Sequence, residues 1–184
     1  DIKPKNLTDA EKKEVFANKS GWVREAGSVL SGNGNTGADP EVLVAISNLS
    51  ANMGAANITE IEFVTTSFDK SDGGNIDVLV RFNEPVTVTG TPQVSITNGN
   101  QGSGTGRGPH LASYLSGSTT NELTFRFTLG AANAATNEND VLVIGTNATA
   151  LNSGTIKDTG EGTVATITNT SAIGTAAGSI TVAA

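Results

Sequence analysis

His110 is the single histidine of the chain, and it precedes Ser113 by three residues. A serine needs a neighbouring base to become a nucleophile, and that base needs a third group to orient it. One histidine excludes a histidine triad and a site with several histidine ligands, and no acid or oxyanion-binding group is identifiable near this pair. We therefore predict that the chain is not an enzyme and that His110 lies at the edge of a loop.

Carboxylates, the hard oxygen ligands that calcium prefers, occur in two loose groups. The groups are Asp69, Asp72 and Asp77, and further along Glu138, Asp140, Asp158 and Glu161. Neither has the alternating spacing of a calcium-binding loop, so we expect solvated turns and no cofactor, with calcium as the one alternative. The absence of cysteine also excludes disulfides, thiolate zinc sites and thiol nucleophiles.

Residues 100–108, with the sequence Asn-Gln-Gly-Ser-Gly-Thr-Gly-Arg-Gly, have the glycine content of a phosphate-binding loop. They lack the Lys-Ser/Thr ending of such loops and do not lead into a predicted helix. We expect a surface loop. The alternative is an arm that orders against a neighbouring subunit through Arg107.

Three large apolar residues near the N-terminus are candidates for interaction with a partner. Val15 and Phe16 are the main apolar residues of a predicted helix, and Trp22, the only tryptophan, follows it. Tryptophan at such a position anchors either the local core or an interface, and the two roles can coexist.

The charge balance bears on the class of partner. The chain has 11 basic and 18 acidic residues, a net charge of -7, which argues against nucleic acid. The longest aliphatic run, residues 42–46, is far shorter than the roughly 20 residues of a membrane span. No apolar segment of a signal peptide is visible, and removal of residues before Asp1 stays open.

Residues 1–57 are predicted to form an N-terminal attachment unit. Thr8 and Glu11 have the spacing of a capping box, which predicts a helix over residues 9–19. Strand-like runs at residues 21–29 and 41–46, separated by a turn-forming stretch, predict a hairpin. The small, polar residues 49–57 are the expected boundary to the next unit.

From residue 58 to 184 the pattern is typical of an antiparallel β-sandwich. Residues 76, 78, 80 and 82 are apolar between mostly polar neighbours, and residues 122–129 repeat this alternation. Further strands are predicted at residues 59–67, 93–97, 111–115, 141–146, 163–168 and 179–182. Short strands separated by Gly, Asn and Pro predict an all-β fold of two packed sheets.

Four ordered blocks within about residues 60–170 resemble the bacterial immunoglobulin-like domains of large surface and adhesion proteins. The first block is residues 76–92, in which Pro85 should end or kink the strand and Gly90-Thr91-Pro92 should turn the chain. The others are residues 113–118, 123–128 and 151–158. The resemblance implies an immunoglobulin-like sandwich, although Asn83 replaces the usual serine and the loop at 98–109 is longer than expected.

The N-terminal unit lies outside that domain family, and its combination with one sandwich resembles small virion proteins of marine tailed phages. This implies a capsid decoration or cement protein on the virion surface, whose partner is the major capsid protein or another virion protein, with a host surface glycan as a further candidate. The alternative is an adhesion module of a bacterial cell-surface protein that binds glycan or protein.

Overall fold

The computed structural model describes residues 3–32, 34–99, 108–133 and 135–184, and most of its regular structure is strand, so the predicted all-β class is confirmed. The helices are α1 (Asp9–Lys13) and α2 (Ser171–Ala176), and short 3-10 turns occur at Val29–Ser31 and Ser50–Asn52. The strands are β1 (Val15–Asn18), β2 (Gly21–Arg24), β3 (Glu41–Ala45), β4 (Ile58–Phe63), β5 (Phe68–Asp69), β6 (Gly74–Thr89), β7 (Gln93–Gly99), β8 (His110–Ser116), β9 (Thr120–Leu129), β10 (Val141–Ala150), β11 (Thr155–Asp158) and β12 (Ser179–Ala183).

Helix α1 begins with a capping box and is much shorter than the eleven-residue helix expected from the sequence. Thr8 Oγ1 accepts a hydrogen bond from Glu11 N at 3.2 Å, and Glu11 Oε2 accepts one from Thr8 N at 2.8 Å. Val15 and Phe16 lie in β1 instead of the helix. The prediction of a helix to residue 19 is wrong because these β-prone residues pair with β2, with Phe16 opposite Val23.

The N-terminal unit, defined here as the described residues up to 57, contains a three-stranded antiparallel sheet in the order β1-β2-β3. The predicted pairing of the two hairpin strands is confirmed, since Trp22 lies opposite Val44. A register shift follows between Trp22 and Val23, so Leu43 is the extra residue of a bulge on β3. The bulge divides β3 into a part that pairs through Glu41 and Val42 and a part that pairs through Val44 and Ala45.

The sandwich, residues 58–184, is one continuous sheet wrapped around one core. In the described residues hydrogen bonding runs in the order β11-β6-β9-β8-β7-β10-β12-β5, and β4 pairs with β6. The long strand β6 passes through Pro85 without ending, but its pairing with β9 is interrupted between Arg81 and Val86. Pro85 lies in that interruption because it cannot donate to the ladder.

The core of the sandwich follows the alternation of the sequence. Ile76, Val78, Val80 and Phe82 are all at most 1% exposed, as predicted. Other fully buried large side chains are Ile61, Ile96, Leu123, Phe125, Leu142, Ile156 and Ile180. Since these residues come from both ends of the sheet order and form one cluster, the two layers share a single apolar interior.

Some elements differ from the sequence prediction. Residues 163–168 form only isolated bridges, at Val164 and Thr166, so the strand predicted there is wrong. Helix α2 was not predicted, and it packs against β10 and β4. A Cβ at Gly174 would lie 2.6 Å from Ile144 O, so only glycine allows this close packing. No helix in the described ranges is long and apolar enough to cross a membrane.

Candidate docking surface

The predicted interaction residues Val15, Phe16 and Trp22 are inside the protein, with exposures of 1%, 7% and 5%. Val15 and Trp22 form a small cluster with Ala17, against which Leu43 and other side chains pack. Trp22 thus anchors the local core, the first of the two roles considered for it. A direct contact of these three residues with a partner stays a prediction, and in this structure they hold the N-terminal unit together.

The N-terminal unit is attached to the sandwich by packing and by charge. Strand β1 packs against β6, and Lys13 Nζ lies 2.5 Å from Glu60 Oε1 on β4. Glu60 also accepts from Arg81 Nη1 at 3.0 Å, so the ion pair between the units continues into the sandwich. Glu60 is largely buried, whereas the Lys13 side chain is 49% exposed, so solvent screens the ion pair between the units.

Arg81 is the centre of this charge network. Its guanidinium donates to Glu60 and Glu62 through Nη1 and to Glu122 through Nε, at 3.0, 2.8 and 2.6 Å. Burial alone would lower the pKa of Arg81, but the three carboxylates outweigh it and raise that pKa above its usual value. Arg81 therefore stays charged and connects β4, β6 and β9.

Glu25 of the N-terminal unit meets Glu122 of the sandwich at the same network. Burial, followed by the charge of Glu122 and a hydrogen bond to it, raises the pKa of Glu25 to about 8, although Arg81 acts in the opposite direction. Glu25 therefore keeps its proton at neutral pH. This proton offsets the repulsion between acids of the two units.

Exposed apolar side chains are concentrated on the N-terminal unit. Of nine large apolar residues that are exposed in the described ranges, five belong to this unit, which is the smaller part of the chain. They are Val29 (81%), Leu30 (47%), Val42 (50%), Val44 (40%) and Ile46 (41%). Single exposed apolar residues need no explanation, but a concentration of them makes this unit the candidate for an interaction surface. We call these five residues the docking surface.

Strand β3 supplies two of these five residues, Ile46 follows directly after it, and the strand is the open edge of its sheet. It pairs with β2 and with no other strand in the described residues. Ile46 N donates to Ser20 O at 3.0 Å, so the ladder to β2 continues one residue beyond β3. A cavity of about 200 Å³, lined by Glu25, Asp39 and Glu41 among others, lies at the start of the strand and makes that end acidic.

A second concave region lies between α1, β4 and α2. It has a volume of about 440 Å³, and its walls include Lys3, Lys13, Glu60 and Ile173. Burial lowers the pKa of Lys3 to about 8, with Glu60 opposing this shift and Arg81 adding to it. Lys3 Nζ already donates to Lys12 O at 2.5 Å, and Lys13 is paired with Glu60, so these cations serve the joint between the units.

The sequence candidates for catalysis are separated in the structure. His110 is the first residue of β8, directly after the loop, and it is buried there and stacks on Phe127 with ring centroids 4.8 Å apart. Burial lowers the pKa of His110, with the charge of Asp140 opposing the shift. Ser113 is three residues along the same strand, which places it on the opposite face, where Gln93 Nε2 donates to its Oγ at 3.2 Å.

Four of the seven carboxylates considered as calcium ligands, Asp69, Asp77, Asp140 and Asp158, accept hydrogen bonds from other protein groups. Asp77 receives two hydrogen bonds from Arg126, at 2.7 and 2.6 Å. Asp140 Oδ2 accepts from Asn98 Nδ2 at 3.0 Å, and Asp69 accepts from Ser71 N at 2.8 Å. Within the described residues no three His, Cys, Asp or Glu side chains come together in a way that could hold a metal ion. The expectation of no cofactor, with calcium as the alternative, stays a prediction.

Sequence reasoning missed a buried pair of acids. Glu84 on β6 and Asp158 on β11 are 0% and 1% exposed. Burial, the charge of Asp158 and a hydrogen bond to that carboxyl raise the pKa of Glu84 to about 8, and Asn83 opposes the shift. Because the two acids are 74 residues apart in sequence (84 to 158), no local pattern could have indicated them.

Arg107, the remaining predicted interaction residue, and residues 100–106 beside it lie outside the described residues. Contact of Arg107 with a neighbouring subunit therefore stays a prediction.

No protein-family model matches this chain, and neither the curated proteins nor the solved structures contain a match to it. Its function has to be argued from its own surfaces.

Proposed function

We propose that the chain is a non-enzymatic structural protein of a tailed-phage virion, a decoration or cement protein bound to the outer shell. The N-terminal unit attaches to the major capsid protein or another virion protein, and the sandwich projects outward. The single observation that carries this assignment is the concentration of exposed apolar side chains on the N-terminal unit. The resemblance of the whole chain to small virion proteins supports the same role.

The division of roles has a physical basis in the two units. The sandwich has its own large core, so it does not need the N-terminal unit to bury its apolar residues. The N-terminal unit, in contrast, leaves apolar side chains in water, at a cost of about 25 cal/mol per Å² of apolar surface. A shell protein that covers Val29 and Leu30 would remove this cost.

The test uses the turn at Val29–Ser31, whose side chains are not part of either core. Val29→Ser combined with Leu30→Ser should weaken co-sedimentation with decoration-free particles by roughly thirtyfold, since about 2 kcal/mol of apolar burial is lost. Val64→Ser, which alters a residue 54% exposed on the sandwich, is the matched control and should bind normally. If the double-serine variant binds particles as well as Val64→Ser does, the turn at Val29–Ser31 is not a docking site.

The adhesion module of a bacterial surface protein is the second candidate, because the blocks that resemble surface immunoglobulin-like domains all lie in the sandwich. It predicts glycan or protein binding through the sandwich loops, independent of Val29 and Leu30. A glycan array probed with the double-serine variant separates the two roles. Binding to a glycan with no binding to particles would favour the adhesin.

A further inference from the structure

We propose that β3 is the seam of a two-fold dimer, in which this strand pairs antiparallel with β3 of a second copy of the chain. The proposal goes beyond attachment to a shell, and its test needs no particle. A negative result for the dimer would therefore leave the proposed function untouched, and a negative result for particle binding would leave the dimer untouched. It rests on the backbone, the side chains and the charges of the region around Ala45.

The backbone of β3 offers hydrogen bonds on its open side. Ile46 N points toward β2, where it donates to Ser20 O. In an antiparallel ladder the direction of these groups alternates, so N–H and C=O of Ala45 point away from β2. Open edges of this kind pair with other strands unless charge, proline or a covering element blocks them, and β3 has no lysine or proline.

The bulge on β3 determines where the two-fold axis can lie. Leu43 interrupts the ladder, so the part of the strand beyond the bulge consists of Val44 and Ala45, and Ile46 N continues its hydrogen bonding to the β1–β2 turn. An axis through Ala45 joins these parts of the two strands. Each Ala45 then exchanges two backbone hydrogen bonds with its counterpart.

The same register buries exposed apolar side chains. With Ala45 on the axis, Val44 of each copy lies directly across from Ile46 of the other. These residues are 40% and 41% exposed in the single chain. Apolar cross-strand pairs of this kind each contribute roughly 0.2–1 kcal/mol relative to alanine.

Charge selects the antiparallel orientation and a second copy as the occupant. The start of β3 is acidic because Asp39 and Glu41 lie there; Glu41 is 56% exposed and 3.8 Å from Arg24, a cation that it shares with Glu11. Lys19 lies at the other end of β3. Its carbonyl accepts a hydrogen bond from Asn48 N at 2.8 Å, and the next residue, Ser20, accepts one from Ile46 N. Antiparallel pairing places the acidic end of each copy beside Lys19 of the other, whereas parallel pairing would place acids against acids.

The ladder is short, so the dimer is expected to be weak in solution, with a dissociation constant on the order of 10–100 μM. Two copies joined in this way would present two turns at Val29–Ser31 to a shell. The dimer would therefore bind a particle with two contacts at once.

Disulfide trapping tests the register directly, because the chain has no cysteine. Ala45→Cys places two thiols across the axis, where Cα atoms of a hydrogen-bonded pair are about 5.5 Å apart, within the range of a disulfide. Ala150→Cys is the matched control, since Ala150 is also an exposed alanine on a strand. Under mild oxidation we expect Ala45→Cys to form a reducible dimer at least ten times faster than the control.

Sedimentation equilibrium of the unmodified chain provides the second measurement. We expect the mass to rise from 18.6 kDa toward twice that value with concentration. Glu41→Lys and Lys19→Glu should each weaken association several-fold, and the double variant should restore it. Equal oxidation rates of the two cysteine variants, or a monomer mass at every concentration, would overturn the dimer. Cross-linking of residue 45 to a shell protein instead would overturn it too.

Discussion

Replacing Glu84 by glutamine should change how the stability of the protein depends on pH. The Glu84 side chain is fully buried, and its pKa is raised to about 8 from 4.5 by burial and by Asp158. The folded protein therefore keeps a proton on Glu84 at pH values where the unfolded chain has lost it. Glutamine has nearly the same shape and has no proton to lose in this pH range.

The sign and size of the effect follow from proton linkage. Between pH 4.5 and about 8 the folded state binds one more proton than the unfolded state at this site, so stability falls as the pH rises. The slope is about 1.4 kcal/mol per pH unit, which amounts to about 5 kcal/mol over this range and levels off above it. At pH 4 the contribution of Glu84 is fully retained.

Urea unfolding from pH 4 to pH 9, followed by circular dichroism, measures the effect. Glu84→Gln and the unmodified chain should agree within about 1 kcal/mol at pH 4, and the variant should be more stable by several kcal/mol at pH 9. Glu25 is present in both proteins, so its own titration cancels in the difference. If the free energies of unfolding of Glu84→Gln and the unmodified chain change equally with pH, Glu84 does not hold a proton and the reasoning fails.

Three further predictions concern stability. Trp22→Ala should lower the free energy of unfolding by about 3 kcal/mol or more in urea, because it leaves a cavity beside Val15. Gly21→Ala should cost well over 1 kcal/mol in the same assay, because Gly21 has φ +135° and a Cβ there would lie 2.0 Å from Val44 O. Gly32→Ala, at φ +73° with open space around it, is the control and should cost about 1 kcal/mol. Excess calcium or a chelator should leave the melting temperature unchanged, and a rise of several degrees with calcium would show a site after all.

Local patterns were sufficient for part of the fold. The alternation of residues 76–82 predicts which side chains of β6 face the core, and all four even-numbered positions are buried. The sequence also predicts the pairing of β2 with β3. These features depend on neighbours in sequence or on a period of two, which the chain shows directly.

Other features depend on distant partners, and local patterns predicted them poorly. Val15 and Phe16 follow a well-capped helix start, yet pairing with β2 makes them a strand. The apolar residues 42–46 predict an ordinary hairpin strand. Their side chains are exposed in the structure because β3 lies at the edge of its sheet. The docking surface was missed for this reason, since sequence alone does not show which strand lies at an edge.

The Arg81 network also determines how the protein would respond to mechanical load. A force that pulls the N-terminal unit away from the sandwich would act first on the Lys13–Glu60 ion pair and on the packing of β1 against β6. Glu60 is held by Arg81, which is itself tied to Glu122 on β9, so tension at the joint is distributed over three strands. An anchored particle protein exposed to flow would thereby resist peeling at one strand.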